Sequence, residues 1–430
     1  MGEDAKRTVI ARHFAKRQEK RIVEVPFLVA SDVEEVGVEL RVSPTQGHAT
    51  VDLGLRDVHG VRGWSGGARQ VVWVGEETAS PGYVAGPLPA GEWAVLLGLY
   101  EVPDAGVSVE IAMEMRLKAP RWLRGDFHAH SIHSDGAFSL TEALDKAEEQ
   151  GLDFLALTDH NTVSQNLNVP RDARVLGIPG MEFTTYDGHA NFIGAVYPID
   201  DFRAASREDV YRLMRTAAER GAVVSLNHPF ESSCPSCAWR WGMEAPADAV
   251  EVWNGPWRPD NERALRWWHQ ALLSGRRLVA IGGSDVHNLE NPYVRHGHPC
   301  TWVYSPARRT ADILTAVRQG HVFITADPDG PRIEVECGSY RMGDRVPRHV
   351  TDATTIRVRE VEAGDEVRII PGVGDVLRWR AQSPGEYVCE VQEPRPPFLR
   401  VEVWRWSPTF QTEVLVALSN PLYFELGDLA

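Results

Sequence analysis

Histidines and acids recur in this sequence at the ends of apolar runs. Within "RGDFHAHSIHSDG", residues 124–136, His128, His130 and Asp135 follow the run "WLRGDF". Asp159 and His160 follow "DFLAL", Glu182 follows "VLGIPGM", and His189 opens "HANFIGAV" a short turn later. His228 follows "AVVSLN", and Asp285 and His287 follow "LVAIGGS". Imidazole nitrogen and carboxylate oxygen both suit zinc, manganese and iron. His-x-His on a strand sends both rings to one face because side chains alternate, and Asp285 and His287 share that spacing. Gathered at one place, six imidazoles and several carboxylates would repel or lie unsatisfied without a cation. His128, His130, Asp135, His160, Glu182, His189, His228, Asp285 and His287 exceed the four ligands of one tetrahedral ion. Two or three divalent ions are therefore expected, with Glu182 suited to bridging a pair.

Each motif has a plainer reading when taken alone. His-x-His is often a surface strand, "TDHN" a turn or helix cap, and "NHP" carries no signal. Their common position, each at the end of an apolar strand, is what favours a metal site.

The elements that must position them alternate in type. After about Pro120, strand-like runs such as "DFLALTDHN", "AVVSLNHPF" and "AVEVWNG" alternate with helical patterns such as "SLTEALDKAEEQG" and "DNERALRWWHQALLSG". Ser139 and Glu142 form a capping box, and Gly151 is a stop signal. Strands separated by helices at this spacing predict βα units, a parallel sheet and an α/β barrel. In such a barrel the carboxyl ends of the strands share one mouth. Short Val-, Ile- and aromatic-rich runs over 22–118, and again after Gly330, predict β-sandwich-like flanks. The expected domains are 1–120, 121–329 and 330–430.

Net charge is −15 over 430 residues, which argues against a nucleic-acid duplex or an anionic membrane as partner. A small anionic substrate remains compatible, since metals or a few arginines supply local positive charge. No apolar run approaches the roughly 20 residues that span a bilayer. The charged start "MGEDAK" lacks a signal-peptide core, and Lys6 stands where myristoylation wants Ser or Thr. The reading is cytoplasmic. Five cysteines make no disulfide framework, and Cys234 and Cys237 are read as free thiols in a loop.

Together "HAHSIHSDG", "LTDHN", "GMEFTT", "LNHP" and "GGSDVH" resemble the polymerase and histidinol phosphatase (PHP) superfamily of metal-dependent hydrolases, over roughly 122–326. "GHANFIGAV" and the "TWVYSP" to "ADPDGP" tail resemble its CehA/McbA-like branch. The resemblance implies a distorted (β/α)7 barrel with up to three metals. One would take His128, His130, Glu182 and Asp285. A second would share Glu182 and add His189 and His228. A third would take Asp135, His160 and His287. His133 is a spare candidate, and Asp159 is expected to orient an imidazole.

Two close divalent ions bring a shared water towards ionisation at neutral pH, so the expected attacking group is a metal-bound hydroxide, with no protein nucleophile. The resemblance favours a phosphoesterase acting on a small phosphorylated molecule. It also allows a carbamate or carboxylic ester hydrolase, and a retired barrel serving as a binding or scaffold module is the third alternative. In "NPYVRHGHPCTW", Arg295, His296 and His298 are candidates to reach the substrate. Trp239 and Trp241 either stack on an aromatic substrate or pack a surface loop. Trp253, Trp257, Trp267 and Trp268 are expected to be core or interdomain packing. The flanking β segments leave a homo-oligomer open.

Overall fold

The computed structural model describes residues 5–425 apart from 198, 200, 393 and 394, and the Met1–Gly2 start lies outside them. Two compact units emerge. The first comprises Met1–Pro120 with Pro170–Leu176 and Pro306–Arg309, and the second comprises the remainder.

The first unit is built from two four-stranded antiparallel sheets. Ala5–Phe14, Val107–Leu117, Val33–Pro44 and Val71–Gly75 make one, in that order. Ile22–Val29, Gly91–Glu101, Thr50–Arg56 and Val61–Gly66 make the other. Period-two patterning drives this: Val36, Val38 and Leu40 point inward and meet Leu53, Trp93 and Leu97 from the second sheet in one core.

The second unit carries the histidines, and it corrects the barrel expectation. Strand content far exceeds helix, and the described residues contain only four α-helices: α1 (Leu140–Glu149), α2 (Arg207–Glu219), α3 (Pro259–Leu273) and α4 (Thr310–Gln319). The strands of the central segment divide between two sheets instead of closing one (β/α)7 ring. Arg121–Asp126 pairs parallel with Phe154–Leu157 but antiparallel with Cys300–Ser305. In the other sheet Glu182–Thr185, Gly188–Ile193 and Val223–Leu226 run antiparallel, and only Val223–Leu226, Ala249–Asn254 and Val279–Gly283 are mutually parallel. A parallel neighbour needs a long crossover. The two-residue link between Thr185 and Gly188 allows only a hairpin. Isolated bridges, Ala129 to Val286 and His160 to Glu182, join segments on either side of the division.

The expected separate C-terminal sandwich is corrected too. Thr412–Ser419 pairs antiparallel with Val322–Thr325, so C-terminal strands extend the central sheet. Phe398, Leu415 and Leu418 accordingly join a core that also holds Phe183, Leu226 and Trp268.

The helices follow their signals. Ser139 Oγ accepts from Glu142 N at 3.3 Å while the Glu142 carboxylate accepts from Ser139 N at 2.8 Å, which closes the capping box of α1. Helix α3 begins with Pro259 at its first turn and buries Leu265 and Trp268. Among the described residues, no helix is long and apolar enough to cross a membrane.

Candidate metal centre

Loops leaving the strand ends, together with the strands Glu182–Thr185 and Gly188–Ile193, bring all nine expected residues into one cluster. Asp126 anchors two of these loops, one after Arg121–Asp126 and one between Val279–Gly283 and Cys300–Ser305, the second at two points. Its Oδ1 accepts from the backbone N–H of His128 (3.1 Å) and Ser284 (3.0 Å), and its Oδ2 from that of Gly297 (2.8 Å). Complete burial pushes its carboxyl up to about 6 against the pull of those hydrogen bonds. Backbone strain concentrates here as well. His228, Asp285 and Asn161 are three of the six described non-glycine residues with positive φ.

Glu182 sits at the middle. Its Oε1 lies 3.3 Å from His128 Nε2, 3.2 Å from His189 Nδ1 and 3.4 Å from His228 Nε2. Its Oε2 lies 3.5 Å from His130 Nε2 and 2.8 Å from His160 Nδ1. Asp285 Oδ1 is 3.1 Å from His130 Nε2 and 3.3 Å from His128 Nε2. On the outer side, Asp135 Oδ1 is 3.4 Å from His287 Nε2, 3.6 Å from His160 Nε2 and 4.0 Å from His130 Nδ1. His128, His130 and Glu182 are essentially inaccessible to solvent, whereas Asp135 is exposed.

Partners behind the rings fix their tautomers. His128 Nδ1 is 2.7 Å from Glu251 Oε1, so a proton is held there and Nε2 is the atom that faces the cluster. His287 Nδ1–H donates to the Asp285 carbonyl at 2.9 Å, leaving Nε2 towards Asp135. His160 Nδ1 bonds Thr184 Oγ1 at 2.6 Å. Asn227 Nδ2 donates to Glu182 Oε1 at 2.8 Å.

This donor set fits divalent cations. Ligand atoms lie within 4.8 Å of one another in four groups: His130, Asp135, His160 and His287; His128, His130 and Glu182; His160, Glu182 and His189; and His128 and His228 with Glu251. His128 Nε2 and His130 Nε2 face each other at 3.1 Å, and at most one of two such nitrogens can donate. His130 Nδ1 and His228 Nδ1 are buried without a hydrogen-bond partner among the described residues. Burial opposes charge on Glu182 and Asp285, yet the surrounding imidazoles hold both carboxyls well below the usual carboxylate range. Burial likewise opposes charge on His128, but Asp285, Glu251 and Glu182 raise its pKa well above the ordinary value. Buried Glu182 and partly buried Asp285 among these rings thus demand positive charge, from a proton or a metal ion.

Other expectations fare differently. Asp159 orients no imidazole: its Oδ1 accepts from Ser131 N (2.9 Å) and Ser134 Oγ (2.7 Å), and its Oδ2 from Ser131 Oγ (2.8 Å), which shapes the loop carrying Asp135. His133 lies outside the cluster, with Nδ1 2.8 Å from Ser164 Oγ. Arg295 spends its Nη1 on the carbonyls of Asn291 and Val294, His298 Nε2 meets Gln150 Oε1 at 3.1 Å, and His296 is buried. None of the three lines the cavity of about 630 Å³ over the cluster. Arg258 does, paired with Glu231 and with Nη2 3.2 Å from Asn254 Oδ1. Trp239 and Trp241 do not line it, and they donate to Gly242 O and Thr185 Oγ1. Cys234 and Cys237 are not free: an i,i+3 turn brings their Cα atoms to 5.3 Å and they form a disulfide at the cavity edge.

Sequence reasoning missed Glu251, Asp126, Asn227 and Arg258. Glu251 left a signal, an acid inside the apolar run "AVEVWN", all six residues of which are buried. Asp126 left a similar one before His128.

No protein-family model matches the chain. Curated relatives match short stretches. DNA polymerase/3'-5' exonuclease PolX of Bacillus subtilis is 36% identical over 62 residues, 14% of this chain and 11% of that protein. A 5'-3' exoribonuclease of Haemophilus influenzae is 40% identical over 63 residues, 14% of this chain and 23% of that protein. The chain therefore spans under a quarter of the length of either relative. Among solved structures, a two-domain protein of Bacteroides vulgatus containing a predicted PHP-like metal-dependent phosphoesterase aligns at TM-score 0.39 and 19% identity, over 69% of this chain and 95% of that one. An amidohydrolase of Chromobacterium violaceum aligns at TM-score 0.29 and 19% identity, over 40% of this chain and 89% of that one. Both scores are too low to establish a shared fold, so the cluster itself is the ground for any functional reading.

Proposed function

We propose that this chain is a metal-dependent phosphoesterase acting on a small phosphorylated substrate. One observation carries the reading: the Nε2 atoms of buried His128 and His130 face each other at 3.1 Å and both face the buried Glu182 and partly buried Asp285 carboxylates, an arrangement that demands positive charge at its centre. His128, His130, Glu182 and Asp285 would hold one ion, Glu182, His189 and His228 a second, and Asp135, His160 and His287 a third. Bound divalent ions would lower the pKa of water and offset charge on a phosphoryl oxygen.

The chain's own residues do the rest. Glu251 keeps the His128 proton on Nδ1, and the Asp285 carbonyl keeps the His287 proton on Nδ1. Asn227 fixes the rotamer of Glu182. Among the described residues, Arg258 is the arginine in the cavity wall, where it is placed to orient an anionic substrate. Glu231 and Asn254 hold its guanidinium in place. The short nuclease matches agree with phosphoester chemistry in those proteins and add only modest support.

The test is a panel of phosphoesters, carboxylic esters and an aryl carbamate, run with manganese and with zinc beside elemental analysis of the purified protein. Metal-dependent release of phosphate is expected. Turnover of the carbamate alone would replace this reading with an ester or carbamate hydrolase.

A further inference from the structure

The cavity over the cluster has an aromatic wall that hydrolysis itself does not require. Tyr293, Phe410 and Trp257 line it together with the candidate ligands. Tyr293 and Phe410 come from distant segments, yet their ring centroids lie 5.9 Å apart at 52°. They are 53% and 48% exposed, unlike most large apolar side chains of this unit.

The backbone at each position is tied by hydrogen bonds. Phe410 lies in the turn between Phe398–Ser407 and Thr412–Ser419, where its N–H donates to Ser407 Oγ at 3.3 Å. Tyr293 N–H donates to Asn291 Oδ1 at 3.0 Å, and Arg295 ties the same loop through the Asn291 and Val294 carbonyls. Trp257 meets Trp253 edge-on at 5.1 Å and Trp404 at 5.7 Å, and Trp404 belongs to the strand that leads into the Phe410 turn. Aromatic rings that pack on one another and stay open to a cavity gain by covering a flat apolar group. The cavity is of a size that takes a small aryl ester.

We infer that the C-terminal hairpin is part of the substrate pocket. Phe410 and Tyr293, with Trp257, bind an aromatic leaving group, so the preferred substrate is an aryl rather than an alkyl phosphoester. This rests on the phosphoesterase reading, and it makes Phe410 a specificity-determining residue more than a hundred positions beyond the last candidate ligand.

Calorimetric binding of phenylphosphonate and methylphosphonate to the manganese-loaded protein tests it without turnover. Phenylphosphonate should bind about tenfold more tightly. Phe410→Ala should weaken phenylphosphonate roughly fivefold and methylphosphonate less than about twofold, and Phe410→Trp should restore the preference. Turnover of p-nitrophenyl phosphate relative to glycerol phosphate should fall in parallel. Equal binding of the two phosphonates, or an equal effect of Phe410→Ala on both, with phosphoester turnover intact, overturns the aryl pocket alone. Binding of neither phosphonate together with no turnover of any phosphoester overturns both readings.

Discussion

Glu251→Gln is the substitution that separates a built metal site from a cluster of buried polar residues. The glutamine is nearly isosteric, so packing is kept while the hydrogen-bond pattern changes. Glu251 Oε1 lies 2.7 Å from His128 Nδ1, and its Oε2 accepts from His228 N–H (3.0 Å) and Asn254 Nδ2 (3.1 Å). All three partners are donors, and an amide can accept at only one end. If the amide nitrogen faces His128, that ring must move its proton to Nε2, the atom needed for a metal. If it faces His228 and Asn254, two donors oppose it in a buried site. Loss of such a partner behind a metal ligand typically costs 10–100-fold in affinity, or about 1.4–2.8 kcal/mol. Competition against a chromophoric zinc chelator at neutral pH should show that weakening. The metal-free variant should retain the far-UV spectrum of the native chain. Unchanged zinc affinity, within about twofold, would refute the role given to Glu251 and the tautomer assignment for His128.

Three further outcomes follow from the geometry. A Cβ on Gly283 would sit 2.5 Å from both His128 Cβ and Glu251 Oε1, so Gly283→Ala should destabilise the metal-free protein by about 1–3 kcal/mol and weaken metal binding, as read by denaturation and the same competition assay. Burial pushes the His296 imidazole down to about 4, so the folded chain binds fewer protons than the unfolded one below pH 6.5. Its share of stability is complete above 6.5 and fades as pH falls towards 4, by up to about 3 kcal/mol, so His296→Leu should flatten the pH dependence of unfolding in that window. Identical slopes for the two proteins would contradict the neutral, buried state of His296. Metal ligands must also shed protons, so apparent zinc affinity should fall as pH drops from 7 to 5, and calorimetry in buffers of different ionisation heat should detect proton release on binding.

Most of the candidate ligands were legible because they stand just beyond an apolar run, where a strand hands over to a loop. His128, His228 and Asp285 obey that rule, whereas Glu182 opens the strand Glu182–Thr185 and His189 lies within Gly188–Ile193. The topology was less legible. Periodicity identifies strands but not their partners, and the two-residue link at 186–187 sets an antiparallel pair inside what was expected to be a parallel sheet. The C-terminal strands looked like a separate sandwich because nothing local reveals that Thr412–Ser419 pairs with Val322–Thr325. Arg295 stood close in sequence to the last ligand motif, yet its Nη1 turns back to the carbonyls of its own loop and it does not line the cavity, while Arg258 reaches the cavity from the start of α3. Cys234 and Cys237 carried the spacing of a turn, but the choice between thiols and a disulfide lay in the loop's fold rather than in its letters.

Crystals grown with saturating manganese and measured at an anomalous wavelength test the metal reading most directly. The expected result is anomalous density within bonding distance of His128, His130, Glu182 and Asp285, with at least one further peak sharing Glu182, and loss of both peaks in Glu182→Gln. Clean density for the nine side chains with no anomalous signal among them would contradict it.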